Sequence, residues 1–125
     1  MFALLLVMIG GAIGAGARHL VGKWTLHALG PGYPWGILTV NLVGGFVMGL
    51  LAGFLMRQSV GHESFRLFVG VGILGGFTTF SSFSLDVATM IERGDWGVAL
   101  GYVLISVIGS VLALFGGLAL ARVAA

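Results

Sequence analysis

The sequence of 125 residues contains no cysteine and very few charged side chains. Without cysteine, disulfide bonds and thiolate metal sites are excluded. Charged residues make up 8% of the chain, whereas a soluble domain has about 25%. The six basic residues are too few to form the clustered basic stripe that binds nucleic acids. What remains is a membrane protein, and the 58% of hydrophobic residues and the mean hydropathy of +1.12 agree with it.

The chain also lacks the groups that catalysis requires. Asp86 is the one carboxylate near the interior of a long apolar stretch. His19, His27 and His62 are scattered without metal-ligand spacing, and no set of nucleophile, base and orienting group occurs. We therefore expect no enzymatic activity. A small proton-coupled drug antiporter depends on a buried glutamate in its first span, and the first apolar stretch here has no acid.

Long apolar stretches separate the clusters of charge. A membrane-spanning helix needs about 17–25 mostly apolar residues. Four stretches meet this requirement and predict spans at residues 3–23, 35–56, 65–91 and 97–121. The sequence therefore predicts an all-α membrane protein, with a single domain of four transmembrane helices over residues 1–125 and no soluble domain.

The basic residues are balanced across the predicted membrane. Four spans place both chain ends and the second loop on one side, and the first and third loops on the other. Each side receives three basic residues: Arg57, Arg66 and Arg122 against Arg18, Lys23 and Arg93. Orientation normally follows an excess of Lys and Arg on the cytoplasmic side. Either the span boundaries hide a weak bias, or the chain inserts in both orientations and pairs as an antiparallel homodimer.

Glycines recur every four residues on each predicted span. Small residues at this spacing let helix backbones approach each other closely. The pattern predicts tight helix packing, but it does not separate contacts within one subunit from contacts between two. The glycines concerned are Gly10 and Gly14, Gly45, Gly49 and Gly53, Gly72 and Gly76, and Gly97 and Gly101.

Polar side chains occur inside two of the spans. Asn41 lies several residues inside the second span, where its amide either links two helices or lines an anion path. Tyr102, Ser106 and Ser110 share one face of the fourth span because they are four residues apart. Serine often bonds back to its own helix. Three stacked hydroxyls also fit a polar lining, and both interpretations stay open.

The stretch GGFTTFSSFS, residues 75–84, predicts a break in the third span. Each glycine weakens a helix by about 1 kcal/mol relative to alanine. Thr78 and Thr79 weaken it further because they are β-branched. A break inside the membrane frees backbone groups that protein, water or an ion must satisfy. Freed carbonyls favour a hard cation, and free N–H groups at the start of the next half-helix favour an anion.

Phe80 and Phe83 are one helical turn apart and share a face of the half-helix after this break. Two phenylalanines in a membrane span usually contact lipid or pack in the core. Alternatively, their positive ring edges face a cavity and hold a small anion without a full charge. Ser81, Ser82 and Ser84 would then add hydroxyl donors nearby.

Three motifs resemble the Fluc (CrcB) family of small fluoride channels. GGAIGAGARH at residues 10–19 resembles the glycine-rich first helix of that family, which ends in arginine. GILTVNLVGGFVMG at residues 36–49 is similar to its second-helix signature, and GILGGFTTFSSFS at residues 72–84 to its broken third helix. The resemblance covers essentially the whole chain, and the length, the span count and the balanced charges also fit.

The resemblance implies an antiparallel, dual-topology homodimer in the cell (inner) membrane, with two fluoride pores that both subunits line. Fluoride would leave the cytoplasm passively, which would give fluoride resistance. Asn41 would be the pore amide, and Phe80 and Phe83 would contact fluoride through their ring edges. The polar lining of the pore would consist of Thr79, Ser81, Tyr102, Ser106 and Ser110.

The resemblance also implies a structural sodium ion on the two-fold axis. Main-chain carbonyls of Gly75 and Thr78 from both chains would bind it, and Arg18 would lie near a pore vestibule. The chain departs from the family at three positions. Ser82 replaces the usual threonine, His19 replaces a common aromatic residue, and Asp86 replaces a frequent glutamate.

Two other functions remain as alternatives to a fluoride channel. A small multidrug-type, dual-topology, proton-coupled antiporter would have the same plan but would need a titratable buried acid. A structural or assembly protein without transport would explain the glycines and lipid-facing phenylalanines. It would not explain the hydroxyl stripe and the break in the third span together.

Overall fold

The computed structural model describes residues 1–56 and 62–124, and these ranges contain helices and no strand. Four segments are long and apolar enough to cross a membrane: Phe2–Leu29, Trp35–Leu55, Glu63–Glu92 and Trp96–Ala124. We refer to them as spans one to four. This result confirms the predicted all-α membrane fold of four spans. The elements are α1 (Phe2–Leu29), α2 (Trp35–Leu55), α3 (Glu63–Phe65), a π-helix (Arg66–Leu74), α4 (Gly75–Phe77), α5 (Ser81–Glu92) and α6 (Trp96–Ala124).

The first span is longer than the sequence analysis predicted. Its expected end at residue 23 is wrong, because a single lysine does not stop a helix and the apolar, helix-forming residues after it continue α1 to Leu29. The helix ends at Gly30, whose φ of 81° lies in the left-handed region that favours glycine. Pro31 follows and cannot continue the helical bonds.

The longer first span moves Arg18 away from the first loop. Arg18 lies within α1, and its guanidinium reaches the break in span three, where Nη1 donates to the carbonyl of Thr78 at 3.3 Å. Counting Arg18 as a loop charge was therefore wrong. Lys23 also lies within α1 but nearer to the end that meets the first loop, so it stays in the count. Without Arg18 the basic residues stand at three against two, which is still a weak bias. Arg57, one of the three, lies outside the described residues.

Glycines bring span one against span three. A Cβ atom at Gly14 would lie 2.0 Å from the carbonyl oxygen of Ile73, and one at Gly76 would lie 2.5 Å from that of Gly11. Real Cβ atoms do not approach backbone atoms so closely, so these positions exclude any side chain. The glycine pattern on these two spans therefore serves contacts within one subunit.

Glycines likewise bring α2 against α6. A Cβ atom at Gly49 would lie 2.1 Å from the carbonyl oxygen of Leu114, and one at Gly117 would lie 2.1 Å from that of Phe46. Gly97 and Gly101 differ, because a Cβ atom at either position meets nothing within 4 Å. The pattern on span four thus does not mark a contact within the subunit.

The buried core lies where spans two, three and four meet near the first loop. The outer surface of the chain is apolar and exposed, as expected for helices surrounded by lipid or by a partner. A partly buried Tyr33 from the loop packs against this core. The core residues are Leu38, Phe83, Met90, Ala99 and Tyr102.

Replacing Gly49 by alanine should destabilise the protein. The new methyl group would overlap the carbonyl of Leu114, and forcing extra atoms into a packed interface costs about 1–3 kcal/mol. We expect a lower midpoint in thermal unfolding of the detergent-solubilised protein. Gly101→Ala is the matched control, which should unfold at the wild-type temperature or slightly above it, because alanine favours the helix. Equal midpoints for the two variants would contradict the proposed α2–α6 contact.

Candidate functional site

A cavity of about 370 Å³ lies beside the break in span three, between α2, α5 and α6. Its walls are mostly apolar, and their polar groups are one amide and a few hydroxyls. Six of the eight residues predicted to line a pore lie in its walls: Asn41, Thr79, Phe80, Phe83, Ser106 and Ser110. The remaining walls are formed by Gly44, Gly45, Met48, Leu74, Thr78, Val107, Val111 and Leu114.

The break itself consists of Thr78 and Thr79, as the sequence predicted. Thr78 is extended, with φ −87° and ψ 158°, and the chain returns to helical dihedral angles at Phe80. The backbone N–H and the hydroxyl of Thr78 both donate to the carbonyl of Leu74, each at 3.0 Å. These two bonds close the last turn of the first half-helix.

Asn41 holds the break through two hydrogen bonds to one residue. Its Nδ2 donates to the carbonyl of Thr79 at 3.0 Å, and its Oδ1 accepts from the backbone N–H of Thr79 at 2.9 Å. The side-chain amide thus replaces the helical partners that the Thr79 backbone has lost. In an apolar environment, each of these groups would cost several kcal/mol if it were left unpaired.

This pairing combines the two interpretations of Asn41. The residue links span two to span three, and it also lies in the cavity wall. A side-chain amide carries two N–H donors, and the bond to the carbonyl of Thr79 uses one of them. The second N–H therefore stays available for a ligand in the cavity.

The side chain of Thr79 begins the second half-helix. Its Oγ1 accepts from the backbone N–H of Ser82 at 3.2 Å, which is the bond that an N-cap residue makes. Ser81 lies next to it, with the two hydroxyl oxygens 3.4 Å apart. Ser81 is exposed and does not line the cavity, unlike the other hydroxyl residues of the break.

Two carbonyl groups at the break were predicted to bind a cation. In a continuous α-helix the carbonyl of Gly75 would accept from the N–H of Thr79, but that N–H donates to Asn41 instead. The carbonyl of Thr78 accepts from the guanidinium of Arg18 at 3.3 Å and keeps a second lone pair. Gly75 is exposed on the surface of this single chain.

Ser106 is a buried hydroxyl in the cavity wall with an unused hydrogen-bonding group. It is 5% exposed, and its Oγ has no hydrogen-bond partner within the described parts of the chain. Other hydroxyls in the spans bond back to their own helix, as Ser84 does to Phe80 and Thr89 to Leu85, both at 2.9 Å. Ser106 thus departs from the usual behaviour of serine in a membrane helix.

Phe80 and Phe83 lie in the same cavity wall but in different environments. Their ring centroids are 5.5 Å apart with the planes tilted by 44°. Phe83 belongs to the buried core, whereas Phe80 is 76% exposed in the single chain. The exposed ring of Phe80 is therefore the part of this wall that a second chain could cover.

Tyr102 was predicted to line the pore, but the structure places it behind the cavity wall. It is completely buried, its ring packs on Phe83 at 5.2 Å, and its hydroxyl donates to Oδ2 of Asp86 at 2.9 Å. The stripe of Tyr102, Ser106 and Ser110 is therefore divided. The two serines face the cavity, and the tyrosine pairs with the carboxylate.

Sequence reasoning did not find the pairs Asn41–Thr79, Arg18–Thr78 and Tyr102–Asp86. The last pair had a signal, because Asp86 is the one acid near a span interior and such a group needs a partner. No cluster of three or more His, Asp or Glu side chains that could bind a metal occurs in residues 1–56 and 62–124.

Replacing Asn41 by leucine should destabilise the break. The variant leaves the N–H and the carbonyl of Thr79 without their partners, and each buried unpaired group costs about 1–3 kcal/mol. Thr79→Val is the comparison, because it removes the cap to Ser82, worth about 1 kcal/mol, and keeps both bonds to Asn41. Thermal unfolding in detergent should rank wild type, Thr79→Val and Asn41→Leu in falling stability. The reverse order of the two variants would show that Asn41 does not hold the break.

Comparison with known proteins identifies close relatives over the whole length of the chain. A protein of Mesorhizobium japonicum is 57% identical over 122 residues, which cover 98% of each chain. One from Sphingopyxis alaskensis is 56% identical over 122 residues, and one from Phenylobacterium zucineum is 58% identical over 123 residues. These cover 98% of this chain and 97% of the relatives, and all three are named fluoride-specific ion channel FluC.

Residues 5–118 match the family described as CrcB-like protein, Camphor Resistance (CrcB). This match extends from the first turns of span one to the last turns of span four, and so includes the break and the whole cavity. With the identity to the three relatives, it confirms the resemblance that the three motifs carried, and the chain is a member of the CrcB family.

Proposed function

We propose that this protein is a fluoride channel and not an enzyme, and that it lets fluoride leave the cytoplasm passively. Relatives that are more than half identical over the whole chain are named as fluoride-specific channels. The observation that carries the proposal is the buried hydroxyl of Ser106, which has no hydrogen-bond partner among the described residues and lies in the wall of the same cavity as Asn41.

The chemistry of the cavity suits a small anion that must pass and not remain bound. The walls offer neutral donors from Asn41, Ser106 and Ser110, and their described residues include no Lys or Arg. The positive edges of Phe80 and Phe83 add weak attraction. Conduction requires binding strong enough for entry and weak enough for release, and neutral donors meet both conditions better than a fixed charge.

No energy-coupling site is needed for this function. Fluoride enters cells as neutral HF and ionises at cytoplasmic pH. A membrane potential then drives the anion outwards with about 2.3 kcal/mol per charge for each 100 mV. An open pathway is sufficient for export, and resistance to fluoride would follow from it.

The proposed assembly is an antiparallel, dual-topology homodimer in the inner membrane, with two pores. Phe80 lines this cavity and is exposed in the single chain, so a second copy packed against it would complete the wall. The small charge difference between the two sides of the membrane supports insertion in both orientations. In this dimer Thr79, Ser106 and Ser110 would line each pore, whereas Ser81 and Tyr102 would line it only beyond the cavity of one chain. A vestibule near Arg18 would reach inwards as far as the break, where its guanidinium bonds to the carbonyl of Thr78.

A structural sodium ion would suit the carbonyl oxygens at the break. Hard cations prefer oxygen ligands, and the carbonyls of Gly75 and Thr78 have both lost regular helical partners. The exposed position of Gly75 would let the equivalent carbonyls of a second chain join them. When bound, the sodium ion would supply positive charge that joins the two chains, and it would not be transported.

Efflux from liposomes tests the proposed function. The purified protein in potassium-loaded liposomes, with valinomycin added, should release fluoride rapidly and chloride not at all, as measured by ion-selective electrodes. Phe80→Ile should reduce fluoride efflux by at least about tenfold, because it keeps an apolar side chain but removes the positive ring edge. Phe83→Ile should act in the same direction but also loosen the core in which Phe83 is buried.

The control for Phe80→Ile is gel filtration, in which the variant should elute as a dimer like the wild type, because isoleucine keeps an apolar side chain at this position. A folded wild-type protein that releases neither anion would exclude the channel. Proton-linked uptake of organic cations would then favour the antiporter, with Asp86 as its acid. Normal fluoride efflux in both phenylalanine variants would exclude the role of the ring edges.

Removal of sodium tests the cation site without relying on transport. A ligand at a hundred times its dissociation constant stabilises the folded protein by about 2.7 kcal/mol. We expect the dimer to unfold at a lower temperature, and to dissociate more readily in gel filtration, when potassium or a large organic cation replaces sodium. The same unfolding temperature and the same elution in all three salts would contradict a structural sodium ion.

A further inference from the structure

A second cavity of about 420 Å³ lies at the end of the helix bundle where the first and third loops are found. The loop between α1 and α2 forms one wall, with Tyr33 among its residues, and the last turns of α5 form another, with Asp86 and Arg93. The first cavity lies deeper, beside the break. A path from the first cavity to this end of the helix bundle could lead through the second cavity.

The buried ring of Tyr102 lies between the two cavities. On one side it packs on Phe83, which lines the first cavity, with the ring centroids 5.2 Å apart. On the other side it packs on Tyr33, which lines the second cavity, with the centroids 5.5 Å apart and the planes at 85°. Its hydroxyl donates to Asp86, also in the wall of the second cavity. We call Phe83, Tyr102 and Tyr33 the three-ring partition.

Tyr33 is the member of the partition that comes from a loop, and a tight turn and a ring contact within this loop fix its position. The N–H of Trp35 donates to the carbonyl of Tyr33 at 2.8 Å, and Pro34 between them has φ −79° and ψ 64°. These values define an inverse γ-turn, in which proline fixes φ. The rings of Tyr33 and Trp35 also pack together, with centroids 4.7 Å apart. Burial raises the pKa of the Tyr33 phenol, so the side chain stays neutral.

We propose that Tyr33 determines anion specificity, as a positioning residue that holds the ring of Tyr102 in place between the two cavities. This inference rests on the proposed function, because it assumes that fluoride follows the two cavities. Fluoride is the smallest halide, and a partition of packed rings leaves room for a small ion before it leaves room for chloride. Without the ring of Tyr33, Tyr102 loses its support on the side of the second cavity.

Loss of this support should open the partition to larger anions. An edge-to-face contact between two rings changes the population of the packed ring position by up to about tenfold. Tyr33→Ala should therefore release chloride from liposomes measurably, up to about tenfold faster than the residual leak seen with wild type, while fluoride efflux continues. Tyr33→Phe retains the ring and should conduct fluoride only. This rescue separates ring packing from any role of the Tyr33 hydroxyl.

Two controls separate this effect from a loss of folding. Trp24→Ala removes an exposed aromatic residue on α1, outside the partition, and should leave chloride efflux at the wild-type level. Tyr33→Leu keeps apolar bulk in the loop without a ring, and it replaces Tyr33→Ala if that variant does not form a folded dimer in gel filtration. Both leucine and alanine should admit chloride.

A double-mutant cycle tests whether Tyr33 acts through Tyr102. Tyr102→Leu should itself admit chloride, and adding Tyr33→Ala to it should have no further effect, because the ring that Tyr33 supports is gone. Additive effects of the two variants would overturn the proposal. So would a folded Tyr33→Ala dimer that releases fluoride and no chloride. If the wild type releases no fluoride, the proposed function fails before this inference is reached.

Discussion

The pairing of one side-chain amide with the backbone of one threonine makes the rest of the site possible. A membrane cannot satisfy the backbone groups that a broken helix exposes, so a break persists only where the protein replaces the lost bonds. Asn41 replaces both bonds of Thr79, and Thr79 then begins the second half-helix through its hydroxyl. The direction of α5, and with it the positions of Phe80 and Phe83 in the cavity wall, follow from this geometry.

Glycine supplies the close packing that this pairing requires. Asn41 reaches Thr79 because α2 lies directly against the break, where a Cβ atom at Gly44 would lie 2.2 Å from the methyl group of Thr78. Gly14 and Gly76 bring α1 equally close on the other side, which lets Arg18 reach the carbonyl of Thr78. The glycines and the polar groups therefore act together. Because the helix backbones lie close to each other, side chains on neighbouring helices can pair with the backbone groups that the break leaves free.

Local rules predicted the parts of this protein that depend on local sequence. Apolar length gave the four spans, and glycines followed by β-branched threonines gave the break at Thr78 and Thr79. The π-helix at Arg66–Leu74 and the end of α1 at Leu29 were not predicted. The end of α1 is set by the positive φ of Gly30, whereas nothing in the structure explains the π-helix. The same limit applied to polar residues. The sequence identified Asn41 and Asp86 as groups that need partners, but only the packing of helices assigns Thr79 to one and Tyr102 to the other.

The distribution of charge explains how such a site can conduct an anion without trapping it. Arg18, the full positive charge closest to the break, is directed at a backbone carbonyl, and its bond to Thr78 keeps it out of the cavity wall. The full negative charge of the interior, that of Asp86, is turned towards Tyr102 and the second cavity. The first cavity is left with neutral donors and ring edges, whose attraction for an anion is weak and additive. Strong charges thus shape the surroundings of the path, whereas weak dipoles form its wall.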